Sequence, residues 1–143
     1  MSIFPKKISF VAITLLMGCA APRTQDDSLY RALDGDAGIA RLVDALVDRC
    51  YSDPRIEKIF RRDEDQYFRA RLREQICQLS GGGCEYTGLP MDEAHNGLKL
   101  GDREFNAFVE DARQAMTEVH LKTATQNQLL ALLAPMHHDI VHQ

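Results

Sequence analysis

Five histidines and four cysteines are the residues of this 143-residue chain best suited to chemistry, because both types ligate metals and both respond to pH or redox conditions. Their spacing narrows what that chemistry could be. His138 and His142 stand four apart near the C-terminus, as two ligands on one helical face would, but with His137 beside them no third ligand follows at a suitable spacing. The motifs Cys-x-x-Cys-His, His-Glu-x-x-His and Gly-x-Ser-x-Gly do not occur, so covalent haem attachment and hydrolysis find no support. His95 stands alone in a short segment, and such a histidine is in itself most simply solvated or hydrogen-bonded. Cys50 falls on an apolar stripe and reads as core. Cys77 and Cys84 flank Gly81-Gly82-Gly83, where a reversing loop could bring two sulfurs together as a disulfide. The net charge of -4 offers no cationic surface to a phosphate backbone, which argues against nucleic acid as a partner.

Compartment decides what the cysteines do. Lys6 and Lys7 precede an apolar run, Ile8 to Met17, interrupted only by Ser9 and Thr14, which is the organisation of an export signal. As a helix that run is ~15 Å long, about half the hydrocarbon thickness, and too short to span a bilayer. It ends in Leu16-Met17-Gly18-Cys19, which resembles a bacterial lipobox, so residues 1–18 are expected to be a lipoprotein signal peptide and Cys19 the lipidation site. Ordinary secretion with cleavage near Ala20-Ala21 is the alternative. Acyl chains on Cys19 would make the product an exported, membrane-anchored lipoprotein facing the periplasm, where a Cys77–Cys84 disulfide would persist. Residues 19–27, polar and holding Pro22, read as a tether, and residues 28–143 as one folded domain.

The elements that must position these groups are helices. Ile39, Leu42, Val43, Leu46, Val47 and Cys50 form one helical stripe that Pro54 closes off. Phe68, Leu72, Ile76 and Leu79 form a second, ended by the triple glycine. A short segment from Met91 to Leu98 carries His95, and Asp102 is expected to cap a longer helix with Phe105, Phe108, Val109, Ala112, Met116 and Val119 inward. A last helix is expected over residues 125–141, kinked at Pro135. No useful run alternates with period two, and the domain reads as all-α.

Two segments carry a family resemblance, Asp53-Pro54-Arg55-Ile56-Glu57-Lys58-Ile59-Phe60 and the stretch from Glu85 to Leu98 that contains Met91-Asp92-Glu93-Ala94-His95. They resemble the group I truncated haemoglobins, and the likeness extends at uniform spacing from Leu29 to Val141. The resemblance implies a truncated globin fold, a two-over-two helical sandwich around a b-type haem, with His95 as the axial ligand of the iron. It places Phe60 against the porphyrin and Arg71 where a haem propionate could be paired, with a solvated helix face as the other reading of Arg71.

The positions that would face the iron ligand depart from the family. Val47 stands where the resemblance expects a tyrosine, and Phe68 and Leu72 occupy sites where many members carry a glutamine or histidine. Gln75 is the nearest polar candidate and could equally be a surface glutamine. The expected function is the binding of diatomic gases (nitric oxide, carbon monoxide, oxygen) at the envelope. The alternative is a haem-dependent nitric oxide dioxygenase or peroxidase-like enzyme, which would need an electron donor, a reductase the chain does not contain.

Overall fold

A computed structural model describes residues 26–141 and 143, so the stretch expected to be a signal peptide, Cys19 and His142 lie outside the described residues. Among the described residues seven α-helices follow one another: α1 (Ser28–Ala32), α2 (Gly35–Cys50), α3 (Asp65–Leu79), α4 (Met91–His95), α5 (Asp102–Glu118), α6 (Thr123–Leu133) and α7 (His137–Ile140). The same residues hold no strand, and no helix among them is long and apolar enough to cross a membrane. The α2–α3 and α5–α6 pairs form the two layers of a two-over-two sandwich, and α4 rests on α7.

α2 is the hub because its stripe is apolar on the sides that meet both α3 and α5. Ile39, Leu42, Val43, Leu46, Val47 and Cys50 are all at most 3% exposed. Each side chain of that size contributes about 1.5–3 kcal/mol on full burial, which makes this helix the best-anchored element. Charge then fixes α3 in register. Arg69, 15% exposed, pairs with Asp48 at 2.6 Å, Asp65 at 2.9 Å and Asp44 at 3.2 Å, and Arg73 reaches the same Asp44 at 2.7 Å. A partly buried guanidinium shared by three carboxylates holds better than an isolated surface pair. Past α3 the chain turns at Gly81, whose φ of +87° suits glycine and whose missing Cβ leaves room for the Asp26 carbonyl. Asp26 and Asp27 thus already pack on the domain, at the end of the stretch expected to be tether.

Two helix termini differ from expectation. Asp102 does not cap α5: Gly101 is the capping residue, and its N–H donates to Glu104 Oε2 at 3.0 Å. Asp102 instead accepts a hydrogen bond from His137 Nε2 at 2.7 Å, which ties α5 to α7. The C-terminal helix begins at Thr123 and breaks at Leu133 into a tight turn, Ala134–Met136, because Pro135 has no N–H to donate and its ring crowds the turn before it.

The inward face of α5 is broader than expected: Ala112 and Met116 are buried and Phe108 and Val119 pack on the core as expected, but Ala107, Asp111 and Ala115 are buried with them. Phe105, Phe108, Val109 and Val119 are half-buried. The small side chains of Ala107, Ala112 and Ala115 suit close packing of α5 on α2. Asp111 is the exception, 5% exposed with Oδ2 buried and unpartnered. Burial pushes its carboxyl above the usual range, reinforced by Asp53 and opposed by Arg55 and Arg49. An acid whose folded value is raised contributes full stability only below the ordinary carboxylate range, and stability is lost as pH rises through the raised value. Asp111→Asn should therefore flatten that part of the pH–stability curve and raise Tm at neutral pH by about 4 °C, corresponding to roughly 1 kcal/mol. Thermal melts across pH test it, and a lower Tm with an unchanged pH slope would count against the assignment.

Candidate functional site

His95 is the last residue of α4 and is half-buried. Its Nδ1 lies 2.7 Å from the Met91 carbonyl, one turn back on the same helix. A carbonyl can only accept, so Nδ1 carries the proton, and in the neutral ring Nε2 keeps its lone pair. That is the tautomer a metal-ligating histidine needs, set by an oxygen partner on the far nitrogen.

The expected wall residues come together on α2, α3 and the connection between them. Val47 is fully buried and Leu72 is 7% exposed. The Phe60 and Phe68 rings lie 5.2 Å apart, tilted by 32°, and Tyr51 meets Phe60 edge-on at 6.2 Å. None of Val47, Phe60, Phe68 and Leu72 offers a side-chain donor, so the surface they make is suited to a flat apolar ligand.

Gln75 turns inward and is not the surface residue that sequence left open. Its amide nitrogen lies 3.3 Å from Met91 Sδ and 3.5 Å from Met136 Sδ. Thioethers are weak acceptors, so a half-buried amide with only sulfur partners has donor capacity to spare. Arg71 is engaged by its own surroundings: it pairs with Glu74 at 2.7 Å, contacts the Thr87 hydroxyl, and stacks over Tyr67 at 5.3 Å. Its Nε is nevertheless buried without a partner. Arg69 and Arg73 reach across to α2, and Arg73 Nε too is buried without a partner.

The Cys77 and Cys84 sulfurs lie within bonding distance across the glycine turn, with their Cα atoms 5.7 Å apart. The Asp36 carboxylate sits within 4.8 Å of both, but sulfurs bonded to each other offer no thiolate to a metal. Cys50 is buried, and burial together with Asp111 and Asp53 pushes its thiol up, as befits an inert core residue.

The bacterial-like globin model matches residues 28–142. The chain belongs to the bacterial-like globins. It is 22% identical over 114 residues to the group 1 truncated hemoglobin of Tetrahymena pyriformis, covering 80% of this chain and 94% of that protein. It is 32% identical over 89 residues to the group 1 truncated hemoglobin of a Nostoc species, covering 62% and 75%. The Fe(III) form of the Tetrahymena pyriformis protein superposes with a TM-score of 0.77 at 22% identity, over 80% of this chain and 98% of that one. The hemoglobin of Chloroflexus aurantiacus superposes with a TM-score of 0.70 at 23% identity and the same coverage. The globin described here is thus of the group I truncated kind, a class of haem proteins that bind gases.

The residues of this globin fit such a cofactor on chemical grounds. It presents an imidazole whose Nδ1 is already engaged, an apolar aromatic wall, and buried or half-buried donors that lack strong partners, Gln75, Arg71 Nε, Arg73 Nε and the Tyr51 hydroxyl. Sequence reasoning missed the groups that hold the connection from α3 to α4, namely Glu74, Gln78 and Thr87. It missed Met91 and Met136 as the neighbours of Gln75 as well. No motif marks such residues; the only signal was that Glu74 and Gln78 are i and i+4 on the helix that precedes the loop.

Proposed function

We propose that this globin holds a b-type haem through His95 Nε2 and binds diatomic gases (nitric oxide, carbon monoxide and oxygen) at the bacterial envelope. The observation that carries the reading is the His95 Nδ1 to Met91 carbonyl hydrogen bond, which commits one ring nitrogen and leaves the other for a metal. When bound, the haem would supply an iron centre able to take a gas molecule. Phe60, Phe68, Leu72 and Val47, packed together in the core, would exclude water and present an apolar surface to the ring. Arg71 Nε has an N–H free to donate to a carboxylate if a propionate displaces Glu74 or joins it.

A second reading is favoured by one observation. The inward amide of Gln75 could donate to a bound ligand, as a nitric oxide dioxygenase or peroxidase-like enzyme requires. That enzyme would draw electrons from a separate reductase. Turnover of nitric oxide under oxygen with a reductant separates the two readings: consumption at catalytic rates supports the enzyme, stoichiometric binding alone the gas-binding protein.

Placement at the envelope rests on Leu16-Met17-Gly18-Cys19. Acylation of Cys19, residues 1–18 being removed, would tether the domain to a membrane and keep Cys77 and Cys84 in an oxidising space as a disulfide. Cys19→Ser should then leave the protein unprocessed and lost from the membrane fraction. A mature chain that mass spectrometry finds to begin after Cys19 would contradict the anchor.

A further inference from the structure

We propose that Glu74 and Gln78 of α3 are positioning residues that set the register of the chain carrying His95, with the Cys77–Cys84 pair as their covalent stop. Only the last step, from the chain to the iron, rests on the reading of His95 as ligand.

Between α3 and α4 the residues from Gly83 to Pro90 have no regular structure, so the backbone groups of that stretch must find partners elsewhere. Two of them find α3. The Tyr86 N–H donates to Gln78 Oε1 at 2.7 Å, and the Thr87 N–H donates to Glu74 Oε2 at 3.0 Å, with the Thr87 hydroxyl donating to the same oxygen at 3.0 Å. Together with Cys84 on Cys77, the contacts run 84 to 77, 86 to 78 and 87 to 74, so the segment is strapped antiparallel along α3. Glu74 is itself held by Arg71 through its other oxygen at 2.7 Å. The Thr87 amide, first among its partners, draws the Glu74 carboxyl below the usual carboxylate range, which matches an ionised acceptor.

The helix beyond the strap has little stability of its own. α4 is five residues long with no buried residue, far below the length at which a helix persists unaided. Its position is dictated by its flanks. On the upstream side the Tyr86 hydroxyl donates to the Leu89 carbonyl at 3.0 Å, and the bare Gly88 lets the Tyr86 ring fold against the backbone. Pro90 then opens α4 and delivers Met91 to Gln75. A shift at Thr87 is therefore passed over only four residues to Met91, whose carbonyl accepts from His95 Nδ1. α3 thus sets where His95 stands.

The test uses the full chain and two readouts. In haem-free protein, amide hydrogen exchange at Tyr86 and Thr87 is compared for wild type, Glu74→Ala, Glu74→Gln, Gln78→Ala and the Cys77→Ser/Cys84→Ser double variant. Glu74→Ala should speed exchange at Thr87 about ten-fold or more while amides of α2 stay unchanged, Gln78→Ala should do the same at Tyr86, and the double variant should loosen both. Glu74→Gln keeps an acceptor and should restore most of the protection. In haem-loaded ferrous protein the iron–histidine stretching band should shift or broaden in Glu74→Ala and return in Glu74→Gln. Exchange unchanged at Thr87, or raised evenly throughout α2 and α5, would overturn the strap, as would a loosened loop with an unaltered band. The exchange readout needs no haem, so it stands apart from any failure of His95 as ligand.

Discussion

His95→Ala is expected to lose stoichiometric haem binding, or to leave any retained iron without its axial nitrogen, and a haem titration followed by a ferrous spectrum reads the loss. No described residue is placed to take over. His137 is committed to Asp102 and to the edge of Phe105, 4.7 Å away, and His120 is exposed beyond the end of α5. Met91 stands one turn back on the helix of His95, but its thioether faces Gln75. Removing an axial imidazole also removes the protein's main control over the iron's electronics, so the change should be large and not graded. The substitutions His137→Ala and His138→Ala should leave the ferrous spectrum as it was. A His95→Ala protein that keeps the wild-type ferrous spectrum at one haem per chain would exclude His95 as the ligand.

Oxygen should leave the wild-type protein fast. Oxygen draws negative charge when held at a haem iron, and a hydrogen-bond donor retains it, whereas carbon monoxide gains much less from one. Val47, Phe68 and Leu72 offer no such donor. An absent charge-assisted hydrogen bond corresponds to about 1.5–3 kcal/mol, or roughly 10- to 150-fold weaker retention. Phe68→Gln should accordingly slow oxygen dissociation by a factor in that range, and a readily oxidised ferrous form should accompany the fast wild-type rate. Gln75 is the arbiter, because its amide is turned inward between two methionine sulfurs. If that amide stays on the methionines, Gln75→Leu barely alters the oxygen off-rate. Slow release in wild type that accelerates strongly in Gln75→Leu would refute the apolar pocket and shift the assignment to the dioxygenase.

The parts of this molecule legible in its sequence are those that rest on periodicity and on motif. The α2 stripe and the α3 stripe, with the glycines that end α3, follow from apolar spacing, because burial of a long amphipathic helix leaves the strongest local signature. The short α4 with His95 at its end was visible through the family pattern and not through its own composition, since five polar-rich residues specify almost nothing alone. The features that stayed hidden depend on approach between distant segments. On α5, Ala107 and Ala115 join the expected Ala112 and Met116 in the core, and a buried acid, Asp111, sits where helical spacing alone would not place a charge. Asp102 looked like a cap but serves His137, a partner 35 residues away that no local rule selects. Gln75 could have faced either way, and only the packing of Met91 and Met136 around it decides.

A single haem held by His95 is tested most directly by titration of the purified chain with haem, followed by absorption spectra of the ferric, ferrous and carbonyl forms. One equivalent of haem should saturate a sharp Soret band, with a ferrous carbonyl spectrum characteristic of histidine ligation. A broad band that never saturates, or a carbonyl spectrum without a histidine ligand, would contradict the account.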